Sequence, residues 1–181
     1  MIIGLTGNMG CGKGEIVKYL KTKGFEHYVY SDILRDIAKK KNIEANRENL
    51  QKLGYEIKKD SRNLGILSRM LLAKITSDKA VVDGIRNPDE IRELRKGAEV
   101  HIIGVTAPQK VRFGRLSKRG REGDPKTFDE FKRLDNLENR GKTKGQEINK
   151  CLKMADFTIV NDSSVNDLNK KIDDILSSLQ K

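Results

Sequence analysis

A glycine-rich segment has the residue types and the spacing of a phosphate-binding loop. It follows the apolar run Ile2–Thr6 with the pattern Gly-x-x-x-x-Gly-Lys, and its residues are Gly7, Asn8, Met9, Gly10, Cys11, Gly12 and Lys13, followed by Gly14 and Glu15. In such a loop, glycines let backbone N–H groups close around phosphates, while the lysine reaches the outer ones. A helix that begins near Gly12 would point the positive end of its dipole at the same anion. The pattern predicts a nucleoside triphosphate site. The alternative is a tight strand-to-helix turn with an incidental lysine.

The two residues after Lys13 depart from the usual pattern. Phosphate loops commonly place there a Ser or Thr whose hydroxyl binds Mg²⁺, whereas this chain has Gly14 and Glu15. We therefore expect Mg²⁺ to be held by phosphates, by water and by carboxylates elsewhere, which suits an ion that keeps much of its hydration shell. Glu15 is expected to complement the helix dipole, with a metal role as the alternative.

Asp32 and Arg35 form a second candidate pair. Asp32 follows the run His27–Tyr30, which we predict to be a strand, and Arg35 lies one helical turn further on the same side. Asp32 could orient an acceptor hydroxyl or hold Mg²⁺ through water, and Arg35 could bind an acceptor phosphate with two parallel hydrogen bonds. The alternative is that Ser31 or Asp32 caps the next helix, with Arg35 as a surface partner.

Asp83 and Arg86 follow another short apolar run. Asp83 ends the run Ala80–Asp83, which reads as a buried strand, and Gly84 allows the backbone to come close to a ligand. An aspartate in this position, next to a phosphate loop, is predicted to hold a metal-bound water. Arg86 is placed to bind an acceptor phosphate. Capping of the next helix is the alternative for Asp83.

Arginines line one face of a predicted helix that runs from Pro108 to about Lys118. They are Arg112, Arg115 and Arg119, and a glycine-containing basic turn follows them. Phosphoryl transfer needs cations that neutralise charge on the transferred group, so we expect a mobile arginine-bearing lid here. The alternatives are a nucleic-acid patch and a solvated basic loop. Because the segment between Arg115 and Phe128 has no aromatic residue, a stacking platform for bases is not favoured.

The run Phe157–Val160 is predicted to be a further strand, and it ends in polar residues. Asn161, directly after it, could hydrogen-bond an adenine edge through its side chain or its backbone. Turn formation alone would also favour Asn at this position.

Short apolar runs alternate with segments of helical spacing along the whole chain, and these elements must position the candidate residues. Besides the runs already named, Val100–Val105 is the clearest strand, and helices are predicted after Gly12, after Ser31, from Asn46, through Leu64 to Ile75, after Pro88 and from Val165. Five strands that alternate with helices predict a parallel sheet covered on both faces, a three-layer α/β/α fold. Ligands collect at the carboxyl ends of such strands, so we expect Lys13, Asp32, Asp83, Arg86 and Asn161 to face one crevice.

Length and composition are those of one domain with an anionic partner. The chain has 181 residues, two cysteines, two histidines and a formal charge of +11. The charge predicts attraction to anions, either nucleic acid or phosphorylated small molecules, and does not by itself choose between them. Much of it is lysine spread along helices, which is more often a solvated face than a binding surface. No apolar run is long enough for a membrane span or a signal peptide, so we expect a cytoplasmic protein.

The chain resembles the nucleoside monophosphate kinase-like group of P-loop proteins. Residues 2–35 and the ending 155–162 look like dephospho-CoA kinase, although Gly14 and Glu15 stand where that family has Ser-Thr. The runs 46–54, 83–86 and 119–125 are more similar to deoxynucleoside monophosphate kinase-like and archaeal adenylate-kinase-related proteins.

This resemblance implies a P-loop fold with a core of residues 1–41, 76–117 and 146–181, an acceptor-side helical region of residues 42–75 and a lid of residues 118–145. It implies that Gly7–Gly14 hold ATP phosphates with Lys13 on the transferring group, and that Asp32 serves the acceptor and the metal. Arg119 and Arg115 would be lid arginines, Asn161 would lie in the adenine loop, and Arg47 and Arg62 would be phosphate contacts.

The resemblance and the residues together predict an ATP- and Mg²⁺-dependent kinase. Its acceptor is expected to be a small nucleotide, in the first place a (deoxy)nucleoside monophosphate. Dephospho-CoA, phosphorylated on its ribose 3′-hydroxyl, is the alternative acceptor, and a nucleic-acid-associated P-loop NTPase is the further alternative.

Overall fold

Strands and helices alternate along the chain in the order that the apolar pattern predicts. The structure is a computed structural model, and it describes residues 1–121, 123–139 and 146–179. The side chain of Arg47, predicted to contact a phosphate, lies outside this part of the chain. Residues 122 and 140–145 of the predicted lid also lie outside it. The elements are β1 (Ile2–Gly7), α1 (Lys13–Thr22), β2 (Glu26–Val29), α2 (Tyr30–Lys40), α3 (Arg47–Asp60), α4 (Ile66–Leu72), β3 (Ala80–Ile85), α5 (Pro88–Gly97), β4 (Val100–Thr106), α6 (Gln109–Arg119), α7 (Phe128–Asn139), α8 (Ile148–Lys153), β5 (Phe157–Val160) and α9 (Val165–Ser178).

The five strands form one parallel sheet in the order β2-β3-β1-β4-β5. The predicted parallel sheet is therefore confirmed. β1 occupies the centre, with Leu5 paired to Asp83 of β3 on one side and to Ile103 of β4 on the other. Because the glycine-rich loop leaves the carboxyl end of β1, it begins between the ends of β3 and β4.

Hydrophobic residues on both faces of the sheet explain why helices cover both sides. Successive residues of a strand point to opposite faces. One core cluster contains Ile103 of β4 together with Leu20 of α1 and Ile172 of α9, and the other contains Ile102 together with Leu94 of α5. This arrangement confirms the three-layer α/β/α fold. None of the helices in the described ranges has the length and apolar character that a bilayer span requires.

The boundary between β2 and α2 differs from the prediction. β2 ends at Val29 and α2 begins at Tyr30, with no side-chain cap. Tyr30 belongs to the helix because its ring is buried and its hydroxyl is hydrogen-bonded to Ser68 at 2.9 Å. The predicted capping by Ser31 or Asp32 is therefore wrong.

The predicted acceptor-side region packs directly on the core. Asn46 caps α3 by accepting a hydrogen bond from the backbone of Asn49, and Leu53 of α3 packs on α2. Two ion pairs join the region to α5: Lys58 to Glu90 at 2.8 Å, and Arg69 to Glu93 at 3.1 Å.

Aromatic packing fixes α7 against α6. The rings of Phe113, Phe128 and Phe131 lie with centroids 5.4 to 5.9 Å apart, and Phe131 is fully buried. Although α7 falls within the predicted lid of residues 118–145, it is a packed element of the fold.

We expect the two leucines Leu20 and Leu64 to differ sharply in their contribution to stability. Leu20 is fully buried in the core beneath α1, whereas Leu64 is 45% exposed. Leu20→Ala should lower the free energy of unfolding by about 2–5 kcal/mol because it removes buried methyl groups and leaves a cavity. Leu64→Ala should change it by less than about 1 kcal/mol. Urea denaturation followed by circular dichroism measures both values, and equal losses would show that the core is placed wrongly.

Candidate functional site

The glycines of the loop between β1 and α1 adopt conformations that other residues avoid. Gly7, Gly10 and Gly12 have φ angles of 147°, 73° and 103°. A Cβ atom on Gly7 would lie 2.1 Å from the carbonyl oxygen of Val105, and one on Gly12 would lie 2.2 Å from Nδ2 of Asn161. Glycine at these positions is therefore required both by the backbone angles and by close approach of the protein.

Lys13 is the first residue of α1, and its amine lies over the loop. Its Nζ donates to the carbonyl oxygens of Gly7 at 2.6 Å and Asn8 at 3.2 Å, and it is 3.6 Å from Sγ of Cys11. The charged amine is thus held at the N-terminal end of the helix, where an anion would also meet the positive end of the dipole.

A buried ion pair supports the loop from the side of α6 and α7. Arg112 donates to the Met9 carbonyl at 3.2 Å and to both carboxylate oxygens of Asp135, at 2.6 and 2.8 Å. The side chains of the pair are only 5% and 1% exposed. Asp135 also accepts from Gln109 at 3.0 Å and from Asn8 at 3.4 Å. Burial acts to raise the pKa of Asp135, but hydrogen bonds from Arg112 and Gln109 and the charge of Arg112 together lower this pKa below its ordinary value.

A second set of contacts supports the loop from the side of β5. Nδ2 of Asn161 donates to the carbonyl oxygen of Cys11 at 2.9 Å. Arg115 donates to the same carbonyl at 3.4 Å and to the carbonyl of Asn161 at 3.0 Å. Asn161 is 5% exposed, and its side-chain amide is engaged in supporting the loop through the Cys11 carbonyl. Its predicted contact with an adenine edge stays a prediction.

These supports determine which backbone groups the loop offers to a ligand. The carbonyl groups of Gly7, Asn8, Met9, Cys11 and Gly12 all accept hydrogen bonds from the protein. In the part of the chain that the structure describes, the N–H groups of Gly10, Gly12, Lys13 and Gly14 donate to no protein acceptor. Free donors at a helix N-terminus bind anions, phosphate above all.

Gly14 and Glu15 follow the loop in the first turn of α1. No atom lies within 4 Å of a Cβ built on Gly14, so a hydroxyl-bearing residue would fit there. Glu15 is paired with Lys18 at 2.8 Å on the exposed surface of the helix. The missing hydroxyl after Lys13 is therefore not a steric requirement of the fold.

Asp83 lies inside β3, next to the strand that leads into the loop. The strand continues to Ile85, so the prediction that it ends at Asp83 is wrong. The Thr6 hydroxyl helps to hold this extension by donating to the Ile85 carbonyl at 3.0 Å.

Oδ1 of Asp83 is buried and has no hydrogen-bond partner among the described residues. A buried, unpartnered carboxylate oxygen fits a ligand hydroxyl or a metal-bound water as its donor. Within the described ranges, no group of three or more His, Cys, Asp and Glu side chains comes together as a metal site.

Asp32 and Arg35 lie in the first half of α2, which follows the edge strand β2. They form an (i, i+3) pair in α2 at 2.6 Å, with side chains 60% and 53% exposed. α2 follows the edge strand β2, and β3 stands between β2 and the central β1. The structure thus places Asp83 beside the strand that leads into the loop, and it pairs Asp32 with Arg35 on the exposed surface of α2.

Arg86 directly follows β3, at the carboxyl edge of the sheet. Its backbone is fixed on both sides, because its N–H donates to Glu90 at 2.8 Å and its carbonyl accepts from the N–H of Glu147 at 2.8 Å. The guanidinium is 48% exposed and lies 3.8 Å from the carboxylate of Glu138 and 3.4 Å from Gln146. A second anion that reached this edge would meet a positioned but accessible guanidinium.

The arginines of α6 take three different roles. Arg112 is buried and lies over the Phe131 ring at 5.1 Å, so its assignment to a mobile lid is wrong. Arg115 contacts the loop from outside, as described above. Arg119 is exposed at the end of α6 and pairs with Asp124, whose pKa it lowers chiefly through their hydrogen bond.

Sequence reasoning missed the side chains that fix the loop. Asp135 and Asn139 of α7 both accept hydrogen bonds from the Asn8 side chain. Their spacing puts them on one helix face, which was a signal for a shared partner. Nothing in the sequence indicated that this partner lies more than 120 residues away, since the separations are 127 and 131 residues.

Solved structures with a similar fold include two shikimate kinases. A shikimate kinase from Acinetobacter baumannii, in complex with shikimate, has a TM-score of 0.62 at 14% identity, with 98% of this chain and 93% of that chain covered. The shikimate kinase from Aquifex aeolicus has a TM-score of 0.56 at 17% identity, with 99% and 96% covered. At these identities the likeness shows the fold alone, and it is a P-loop kinase-like fold.

Comparison of sequences shows the family. A family model described as an AAA domain matches residues 3–154. A UPF0200 protein of Pyrococcus horikoshii is 33% identical over 186 residues, with 99% of this chain and 97% of the relative covered. A UPF0200 protein of Sulfurisphaera tokodaii is 33% identical over 179 residues, with 98% and 97% covered. The chain therefore carries a P-loop kinase-like domain of the AAA domain family and belongs, over nearly its whole length, to the UPF0200 proteins.

Proposed function

We propose that the chain is an ATP- and Mg²⁺-dependent kinase that transfers the γ-phosphoryl group to a small nucleotide, a (deoxy)nucleoside monophosphate in the first place. The observation that carries this proposal is the loop itself. The carbonyl groups of Met9 and Cys11 are bonded to side chains of other elements, while the N–H groups of Gly10, Gly12, Lys13 and Gly14 donate to no acceptor among the described residues and are left for an anion. Lys13 supplies the positive charge at the same point.

The donor site would work by positioning and by electrostatics. In this proposal the loop N–H groups and the N-terminal end of α1 bind the β- and γ-phosphates. Lys13 neutralises charge that develops on the transferred group. Lys13 donates to the loop carbonyls of Gly7 and Asn8. Binding of a triphosphate would exchange these contacts for contacts to phosphate oxygens. Arg119, exposed at the end of α6, is the lid arginine of this proposal, and Arg115, which donates to the Cys11 carbonyl of the loop, is the second candidate.

Magnesium fits this site through Asp83. The buried Oδ1 atom has no partner among the described residues, and an acceptor of this kind suits a water of the hydrated ion. Gly14 adds no hydroxyl, so Asp83 and the phosphates would hold the ion between them. When bound, Mg²⁺ supplies neutralisation of phosphate charge.

The acceptor would bind at the carboxyl edge of β3. Arg86 is the accessible cation at that edge, and its backbone is fixed by Glu90 and Glu147. We assign the acceptor phosphate to Arg86 and the acceptor hydroxyl or phosphate oxygen to the neighbourhood of Asp83. Asp32 and Arg35, which are exposed on α2, would also contact the acceptor, together with the helical region of residues 42–75.

The residue runs 46–54, 83–86 and 119–125 favour a nucleoside monophosphate over dephospho-CoA as acceptor, because they resemble deoxynucleoside monophosphate kinase-like and archaeal adenylate-kinase-related proteins. Gly14 and Glu15 also differ from the Ser-Thr of dephospho-CoA kinase. We therefore rank a (deoxy)nucleoside monophosphate first.

We expect label to move from [γ-³²P]ATP to an added nucleotide when Mg²⁺ is present. A panel of ribo- and deoxynucleoside monophosphates with dephospho-CoA identifies the acceptor. Lys13→Ala should lower kcat by about 10²-fold or more, because it removes a cation from the transferring phosphate. Lys18→Ala is the matched control, since Lys18 is an exposed lysine of the same helix.

Absence of transfer to every nucleotide would contradict the proposed function. Hydrolysis of ATP that requires added RNA or DNA, and that is lost steeply as salt rises, would instead favour the nucleic-acid-associated NTPase. Equal rates for wild type and Lys13→Ala would show that the loop is not the donor site.

A separate expectation concerns Asp83 and the metal. Asp83→Asn should raise the Mg²⁺ concentration needed for half-maximal rate and lower kcat by about 10²-fold, since it removes a charged acceptor of metal-bound water. Asp78→Asn is the control, because Asp78 is exposed just before the opposite end of the same strand. A magnesium titration that is unchanged in Asp83→Asn would exclude Asp83 from metal binding.

A further inference from the structure

The side chain of Asn8 connects the phosphate loop to the last turn of α7. Its Nδ2 donates to Oδ1 of Asn139 at 2.6 Å and to Oδ1 of Asp135 at 3.4 Å. Asp135 and Asn139 lie on the same face of α7, and that face meets the loop. The aromatic cluster around Phe131 already packs α7 on α6, so the fold does not need these hydrogen bonds for that contact.

The backbone carbonyl of Asn8 takes part in two hydrogen bonds that help to fix the conformation of the loop. Its carbonyl oxygen accepts from the N–H of Cys11 at 3.3 Å, which closes the first turn, and from Nζ of Lys13 at 3.2 Å. A change in the position of Asn8 would therefore displace both the turn closed by the Cys11 N–H and the amine of Lys13. The Asn8 side chain is 7% exposed, so solvent cannot easily replace its partners.

The two partners of Asn8 differ in what their removal would do. Asp135 is 1% exposed and neutralises the buried Arg112, so its loss would leave an uncompensated charge in the core. Asn139 is half-buried at the end of α7 and carries no charge. Asn139 is thus the partner that can be removed without burying an unpaired charge.

We propose that Asn139 is a positioning residue for the donor phosphates, and that it acts through Asn8. The hydrogen bond between these side chains holds the first peptide groups of the loop in the conformation whose N–H groups face the phosphates. α7 is accordingly a fixed support of the donor site and not a part of a moving lid. This inference rests on the proposed function, in that a triphosphate binds at this loop.

The test is the affinity for ATP, measured by isothermal titration calorimetry with the full chain. Asn139→Ala should raise the dissociation constant of Mg-ATP about fivefold to tenfold, as expected for one neutral hydrogen bond. Because the Asn8 amide keeps only the longer contact to Asp135, the melting temperature without ligand should fall by about 2–4 °C. Asn136→Ala, an exposed asparagine of the same helix, should bind Mg-ATP as wild type does.

A double-mutant cycle separates positioning from a general loosening of the loop. Asn8→Ala should weaken Mg-ATP binding by a similar factor. The double variant Asn8→Ala/Asn139→Ala should bind no more weakly than the weaker single variant, because both substitutions remove the same interaction. Additive losses, or unchanged affinity in Asn139→Ala, would overturn the proposal. So would a loss of affinity that comes with a fall in melting temperature well beyond about 4 °C, because that would show a general loosening of the fold.

The outcome for wild type distinguishes this inference from the proposed function. If wild type binds Mg-ATP and Lys13→Ala does not, but Asn139→Ala binds normally, the positioning role fails while the donor site stands. If wild type does not bind Mg-ATP at all, the donor site and the positioning role both fail.

Discussion

The candidate site depends on two backbone carbonyl groups of the phosphate loop, those of Met9 and Cys11, being held by side chains of other elements. A loop whose carbonyls pointed inward would present oxygen atoms to an anion and would repel it. Here Arg112 holds the carbonyl of Met9, and Asn161 and Arg115 hold that of Cys11. The N–H groups of Gly10, Gly12, Lys13 and Gly14 donate to no acceptor among the described residues, and the N-terminal end of α1 adds its dipole to them. The preference of the loop for an anion thus depends on side chains that hold its carbonyl groups, namely Arg112, Arg115 and Asn161.

The ion pair between Arg112 and Asp135 shows what such support costs. Removing two charges from water is unfavourable, and the attraction between them offsets this cost only when further hydrogen bonds satisfy both groups. Gln109, the carbonyl of Met9 and the side chain of Asn8 supply those bonds. A pair of this kind is better explained by the geometry that it imposes on the loop than by any gain in stability. Together with the aromatic cluster, this ion pair holds α7 against α6, although α7 falls within residues 118–145, which the sequence predicted to be a lid.

The parts of the fold that rest on local patterns could be predicted from the sequence, and those that rest on distant partners could not. The loop, the parallel sheet and the position of Arg86 follow from glycine spacing and from short apolar runs. The partner of Arg112 was out of reach because Asp135 lies 23 residues away, and the contact of Asn161 with Cys11 spans 150 residues. Helical spacing correctly placed Arg112 on α6. It could not show that this arginine is buried under an aromatic ring, while Arg119 on the same helix is exposed.

The amide resonances of the loop give the most direct test of this account. In ¹H–¹⁵N correlation spectra of the labelled chain, titration with Mg-ATP should move the amides of Gly10, Gly12, Lys13 and Gly14 downfield to saturation, as expected when free N–H groups begin to donate to phosphate oxygens. The amide of Cys11 already donates within the loop and should move much less. Saturable shifts confined to another part of the molecule, or no shifts at the four loop amides, would contradict the claim that this loop is a donor-phosphate site.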